Sequence, residues 1–181
     1  RDHSAMPAHA HLNLLGWVAD RWTPAELWRR WLHSPAVRAF ETGRCDAETF
    51  AAQCVAELEL GVAPATFLES FAGWPTGLYP GTHELLARIP GHVTRALLSN
   101  SNSLHWPRVE DEFGLGALFE HRFVSHLTGR IKPDRDAFEH VIDSLGCDPA
   151  SVFFLDDNQL NVEAAHAAGL QSAVVRNIEE A

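Results

Sequence analysis

Val152-Phe153-Phe154-Leu155-Asp156-Asp157-Asn158-Gln159-Leu160-Asn161 is the stretch on which the fold turns. Four consecutive apolar residues read as a strand, and the helical spacing over 160–168 closes at Gly169. Two adjacent carboxylates directly after an apolar strand are costly unless a cation or hydrogen-bond donors satisfy them. Magnesium favours one or two carboxylates completed by waters and phosphate oxygens, so an acidic pair at a strand end suits it. The other use of such a pair is to open a helix, whose N-terminus favours negative charge.

Outward from this point the alternation repeats. Residues 172–175 read as a further strand, and 134–145 as a helix with Phe138, Val141, Ile142 and Leu145 on its core face. Residues 121–125 read as a strand and 93–98 as a buried strand, and Thr82 as the cap of a helix carrying Leu85, Leu86 and Ile89 that stops at Pro90-Gly91. Strands separated by helices imply right-handed crossovers, a parallel sheet with helices on both faces, and ligands held beyond the carboxyl ends of the strands. The composition breaks at 73–81, which contains Pro75, Gly77, Pro80 and Gly81. Upstream the pattern is helical. Thr23-Pro24-Ala25-Glu26 is a capping box ahead of Leu27, Trp28, Trp31 and Leu32, and Asp46 opens a helix with Phe50, Ala51, Cys54 and Leu58 on one face. A third helix is expected over 64–71. The expected division is therefore a mainly helical unit over 1–78 and an α/β core over 79–181.

Two other strand ends carry polar groups. Ala96-Leu97-Leu98 runs into Ser99-Asn100-Ser101-Asn102, where hydroxyls and free backbone N–H groups would cradle an anion or cap a helix. Lys132 precedes Pro133 and so lies on an extended approach to the N-terminus of the next helix, where the dipole disfavours a cation. It is either a solvated lysine or the partner of an anion. Ser99, Lys132 and Asp157 succeed one another at separations of 33 and 25 residues, which would bring them to one edge of one sheet. Hydroxyl, ammonium and metal carboxylate around a common point are the groups that hold a phosphoryl moiety.

The 181 residues suffice for one good core, and a net charge of −10 disfavours nucleic acid and acidic membranes as partners. Cys45, Cys54 and Cys147 are odd in number and widely spaced, which suggests neither a disulfide framework nor a zinc site and fits a reducing cytoplasm. No apolar run approaches 18 residues.

These residues resemble the haloacid dehalogenase superfamily, chiefly its small sugar-phosphate phosphatases with a helical cap. ALLSNSN (96–102) looks like the second motif, GRIKPDRDAFEHVIDSLG (129–146) like the third and VFFLDDNQLNVEAAHAAG (152–169) like the fourth, while 36–60 is similar to the inserted cap. The resemblance implies an α/β, Rossmannoid core with that cap. It also implies Ser99 and Asn100 binding the phosphoryl group, Lys132 neutralising phosphate and nucleophile, Asp157 holding Mg2+, Asp156 beside it and Asn161 orienting the loop. The first motif, a strand ending in the nucleophilic aspartate, has no match. LNLLGWVAD (12–20) is the nearest candidate, but its spacing reads better as a helix than as a strand delivering Asp20. Asp2 has no strand before it, and the chain opens on Arg1, so the family pattern implies a strand–Asp–loop segment ahead of it.

The activity implied by the resemblance is that of a Mg2+-dependent phosphatase for a small phosphorylated metabolite, such as a sugar phosphate, working through an aspartyl-phosphate. It would be a monomer or homodimer, with no nucleic-acid or membrane partner. A catalytically inactive domain acting by binding is the alternative. A metal-free dehalogenase ranks lower, because the acidic pair would repel its anionic substrate. Five of the six tryptophans, Trp17, Trp22, Trp28, Trp31 and Trp74, read as core before pocket, His9 and His11 as solvated, and Asn102, Ser103, His105 and Trp106 as candidate substrate contacts.

Overall fold

The structure, a computed structural model, describes residues 14, 16–18, 20–177 and 180. Asp2, His9 and His11 lie outside the described residues.

The first half is helical. Helix α1 (Pro24–Leu32) starts at the capping box that the sequence announces. Glu26 N donates to the Thr23 hydroxyl at 3.3 Å, and Thr23 N donates to the Glu26 carboxylate at 2.9 Å. Helix α2 (Pro35–Glu41) does not stand out by apolar spacing, but Ser34-Pro35 repeats the same start, with the Ser34 hydroxyl accepting from Val37 N at 3.2 Å. Helix α3 (Ala47–Glu57) is capped by Asp46 as expected, and α4 (Pro64–Ala72) comes next. Their inward faces build a core rich in aromatic rings. Phe40 stacks on Phe50 at 4.4 Å between centroids, and Phe71 packs against Trp74 at 4.8 Å. Trp31 and Trp74 are buried in this cluster and Trp17, Trp22 and Trp28 pack around it, so the tryptophans form core, as expected.

The second half alternates helix and strand. Helix α5 (Thr82–Ala87) begins on Gly81 at φ 90°, a left-handed conformation suited to glycine. Thr82 does not cap it, because its hydroxyl donates to Tyr79 O instead. The remaining elements are β1 (Ala96–Ser99), β2 (His121–Val124), α6 (Ser125–Thr128), α7 (Arg135–Leu145), β3 (Phe153–Asp156), α8 (Gln159–Ala167) and β4 (Gln171–Val174). A π-helical turn (Arg108–Glu112) and a 3-10 turn (Leu115–Leu118) fill the β1–β2 connection.

Strand pairing is parallel, as the alternation requires, but the strands form two ladders and not one sheet. Strand β1 pairs with β2, Leu98 facing Phe123, and β3 pairs with β4, Leu155 facing Ala173. Among the described residues no strand pairs with the remaining edges of β1 and β3. The expectation that 93–98 forms a buried strand is corrected, since β1 starts only at Ala96 and Val93 is 44% exposed. In β3 the two faces differ. Phe154 packs edge-on against Phe138 at 5.4 Å, whereas Phe153 and Leu155, on the opposite face, are 63% and 40% exposed. Strand side chains alternate faces, so a four-residue apolar run is buried throughout only where both faces are covered.

Candidate active site

The carboxyl ends of β1 and β3 and the approach to α7 meet at one place, and the polar residues picked from the sequence gather there. Lys132 is the hub. Its Nζ donates to Asp156 Oδ2 at 2.7 Å, with both side chains nearly buried. Its backbone is gripped by Asn100, whose Nδ2 donates to Lys132 O and whose Oδ1 accepts from Lys132 N, both at 2.9 Å. An amide side chain is well matched to a peptide group because it offers one donor and one acceptor in the same plane. Asn100, expected from the motif to help bind a phosphoryl group, thus has its amide engaged in locking the residue 32 positions ahead.

Asp156 is saturated by its neighbours. Besides the lysine, its Oδ1 accepts from Asn158 N and from Asn161 Nδ2, each at 2.9 Å. The helix cap comes from Asn158 and not from the acidic pair, with Asn158 Oδ1 accepting from Leu160 N at 3.0 Å. Asp157 is left open to solvent on one side. Partial desolvation and, after it, the adjacent Asp156 charge hold its carboxyl above the ordinary aspartate range. An anion unfavourably placed in this way is a fitting cation ligand. It is one carboxylate only, since no group of three or more His, Cys, Asp or Glu side chains among the described residues is arranged to hold a metal. One carboxylate completed by waters and phosphate oxygens is within the habits of Mg2+.

Ser99 closes β1 with its hydroxyl 3.5 Å from Asn100 O, a contact too long to bind it firmly. The loop beyond is held by Ser125, which from sequence is only a strand end. Its hydroxyl accepts from Ser101 N at 2.9 Å and donates to Ser101 O at 3.0 Å, tying the ends of β1 and β2 together. Asn102 is buried and turns the chain by accepting from Leu104 N and His105 N. His105 continues inward. With Asn102 Nδ2 facing its Nδ1 at 3.2 Å, its Nε2 carries the proton and donates to Phe71 O at 2.7 Å. Burial drives its pKa down to about 4, so the ring is neutral. Asn102 and His105 therefore brace the loop against the C-terminal end of α4. Trp106 is buried beside them and Ser103 is exposed.

The helical half contributes one further group. Glu41, the last residue of α2, has its carboxyl pushed up to about 7 by burial, with Lys132 acting in the opposite sense. Sequence reasoning misses it because a lone glutamate at a helix end carries no local signal. Asp20, the candidate acid of 12–20, is highly exposed and sits beside Arg21 at 3.6 Å, after helical residues at 16–18. It is remote in character from a buried strand-end nucleophile.

Comparison with known proteins agrees with this architecture. A family model described as haloacid dehalogenase-like hydrolase matches residues 12–169. Flavin mononucleotide hydrolase 1 of Arabidopsis thaliana is 31% identical over 99 residues, 55% of this chain and 40% of that protein. Phosphoglycolate phosphatase 1 of Pseudomonas aeruginosa is 30% identical over 124 residues, 67% of this chain and 46% of that protein. The matched segments thus span less than half the length of these two relatives. In fold the chain is similar to a HAD family enzyme of Bacteroides thetaiotaomicron solved with magnesium and inorganic phosphate, with TM-score 0.71, 18% identity and coverage of 98% of this chain and 88% of that one. It is also similar to L-2-haloacid dehalogenase of Xanthobacter autotrophicus, with TM-score 0.63, 20% identity and coverage of 95% and 74%. With its α/β core, its strand-end Lys–Asp pair and a family match running through most of its length, the chain belongs to the haloacid dehalogenase-like hydrolase family.

Proposed function

We propose that this hydrolase is a Mg2+-dependent phosphomonoesterase acting on a small phosphorylated metabolite. The observation that carries the reading is the Lys132–Asp156 pair at the strand ends, with Asp157 beside it as an open carboxylate. Phosphoryl transfer is catalysed chiefly by positioning and by neutralising the equatorial oxygens. Lys132 supplies a fixed positive charge, and Asn100 prevents its backbone from drifting. Ser99, with a hydroxyl free to rotate, donates to a phosphoryl oxygen. Asp157 would hold Mg2+, with Asp156 and Asn161 fixing the turn that presents it; when bound, the ion would withdraw charge from the phosphoryl group.

Covalent catalysis would require an aspartate nucleophile on a strand lying between β1 and β3, in line with Lys132. The unpaired edges that these strands present among the described residues support that placement. The two phosphatase relatives support phosphoester hydrolysis over dehalogenation.

The test is hydrolysis of p-nitrophenyl phosphate by the full-length protein. Turnover is expected to need Mg2+, to stop with a chelator and to fall at least 100-fold in Asp157→Ala. Absence of Mg2+-dependent turnover across a broad panel of phosphomonoesters would sink the proposal and favour a binding role.

A further inference from the structure

In the loop after β1, Asn100 is committed to the peptide of Lys132 and Asn102 to Leu104 N and His105 N. Ser101, between them, depends on one side chain from another strand. Strands β1 and β2 stop pairing at Ser99 and Val124, and beyond that point no ladder satisfies the buried backbone of Ser101. Buried peptide groups need partners, and here a single hydroxyl serves two of them. Ser125 Oγ accepts from Ser101 N at 2.9 Å and donates to Ser101 O at 3.0 Å. Ser125 is itself buried and held. It opens α6, whose turn closes with Gly129 N donating to Ser125 O at 2.8 Å. The residue after it abuts the helical half so tightly that a Cβ on Gly43 would collide with His126 O.

The consequence for Ser99 comes from peptide geometry. Ser101 N and Asn100 O belong to one planar trans peptide, so they point in opposite directions and turn together. Fixing the N–H on Ser125 therefore fixes the carbonyl. Asn100 O is the one hydrogen-bond partner of the Ser99 hydroxyl among the described residues, and at 3.5 Å it is too far to bind it firmly. Without Ser125 this peptide would be free to rotate, bringing its carbonyl onto the Ser99 hydroxyl or turning its negative end toward a bound anion. We propose that Ser125 is a positioning residue for phosphoryl binding: it holds the Asn100–Ser101 peptide in the orientation that leaves the Ser99 hydroxyl free to donate to the phosphoryl group. Ser125 acts through Ser99 and not by touching the substrate. This role rests on the phosphatase reading, in which Ser99 binds the phosphoryl group.

The experiment is a double-mutant cycle on the full-length protein with Mg2+. Calorimetry measures binding of inorganic phosphate, and steady-state kinetics with p-nitrophenyl phosphate gives kcat and KM. Ser125→Ala is expected to weaken phosphate binding and to raise KM, each about tenfold, the scale of a lost hydrogen bond, with a smaller change in kcat. Ser125→Thr keeps the hydroxyl and is expected to bind phosphate within about threefold of wild type. In a Ser99→Ala background the hydroxyl that Ser125 serves is gone, so adding Ser125→Ala is expected to weaken phosphate binding by less than about twofold more. Losses in melting temperature should instead accumulate, because Ser125 also ties the strand ends together. Should Ser125→Ala not fold, Ser125→Cys, of similar shape with a weaker donor and acceptor, takes its place in the cycle with the same pattern expected. Equal effects on phosphate binding in both backgrounds would make the role of Ser125 structural and overturn the proposal. Phosphate binding by Ser125→Ala within about twofold of wild type would overturn it as well. A wild-type protein that neither turns over any phosphomonoester nor binds phosphate overturns the phosphatase reading and the role of Ser125 with it.

Discussion

Lys132 Nζ and Asp156 Oδ2 lie 2.7 Å apart, with 10% and 6% of their side chains exposed, and this pair joins the approach to α7 to the end of β3. Removing one member of a buried pair leaves an uncompensated charge, typically at a cost of about 3–5 kcal/mol. Lys132→Met is therefore expected to lower unfolding stability by about that amount in urea titrations. Adding Asp156→Asn should recover much of the loss, since two neutral groups no longer need each other. A loss below about 1 kcal/mol in Lys132→Met would show that the carboxylate is adequately solvated without the lysine.

Mg2+ binding at Asp157 should appear in stability as well as in activity. A ligand that binds only the folded state stabilises it by about 2.7 kcal/mol at one hundred times its dissociation constant. The melting temperature of the wild type is expected to rise with added Mg2+. Asp157→Asn should abolish that rise while leaving the Lys132–Asp156 pair in place. A similar Mg2+-induced shift in both proteins would place the ion elsewhere.

Gly43 tests the fastening of α2 to the core. It has φ 69°, and a Cβ would collide with the backbone oxygen of His126. Backbone strain at positive φ together with this contact sets the expected cost of Gly43→Ala at about 2 kcal/mol or more. Hydrogen exchange should accelerate at the end of α2 and in α6. Wild-type stability in this variant would mean that the two halves separate freely there.

His105 should make the protein sensitive to mild acid. Its folded pKa of about 4 lies below its usual 6.5, so between these values the unfolded chain takes up a proton that the folded one refuses. Stability is then complete above pH 6.5 and declines as pH falls toward 4, by roughly 2 kcal/mol at pH 5. Denaturation of wild type and His105→Gln at pH 7 and pH 5 checks this. The difference between the two pH values should shrink by about that amount in the variant.

Much of the candidate site is legible in the sequence because its residues come directly after strands. Ser99, Asp156 and Asp157 sit where apolar runs stop, and Lys132 is marked by the proline after it. The helix starts at Thr23 and Asp46 are read from cap chemistry that acts within four residues. The features that escape such a reading depend on groups far apart in the chain. Asn100 resembles a phosphate ligand because nothing local reveals that the peptide of Lys132, 32 residues on, matches its amide. Glu41 has no signal at all, since its carboxyl is raised by burial in the folded chain, against the opposing pull of Lys132 in the other half of the molecule. Thr82 fails as a cap because Tyr79 O competes for its hydroxyl.

The sequence alone therefore determined the alternation of strand and helix, the parallel sense of pairing and the polar residues at the strand ends, because period and capping act over a single turn or strand. Only the tertiary structure decided that the strands form two separate ladders, that Asp156 and not Asp157 takes the lysine, and that a carboxyl from the helical half feels the same charge. Edge pairing, ion-pair choice and desolvation depend on distances between segments remote in the chain, and no local pattern encodes them.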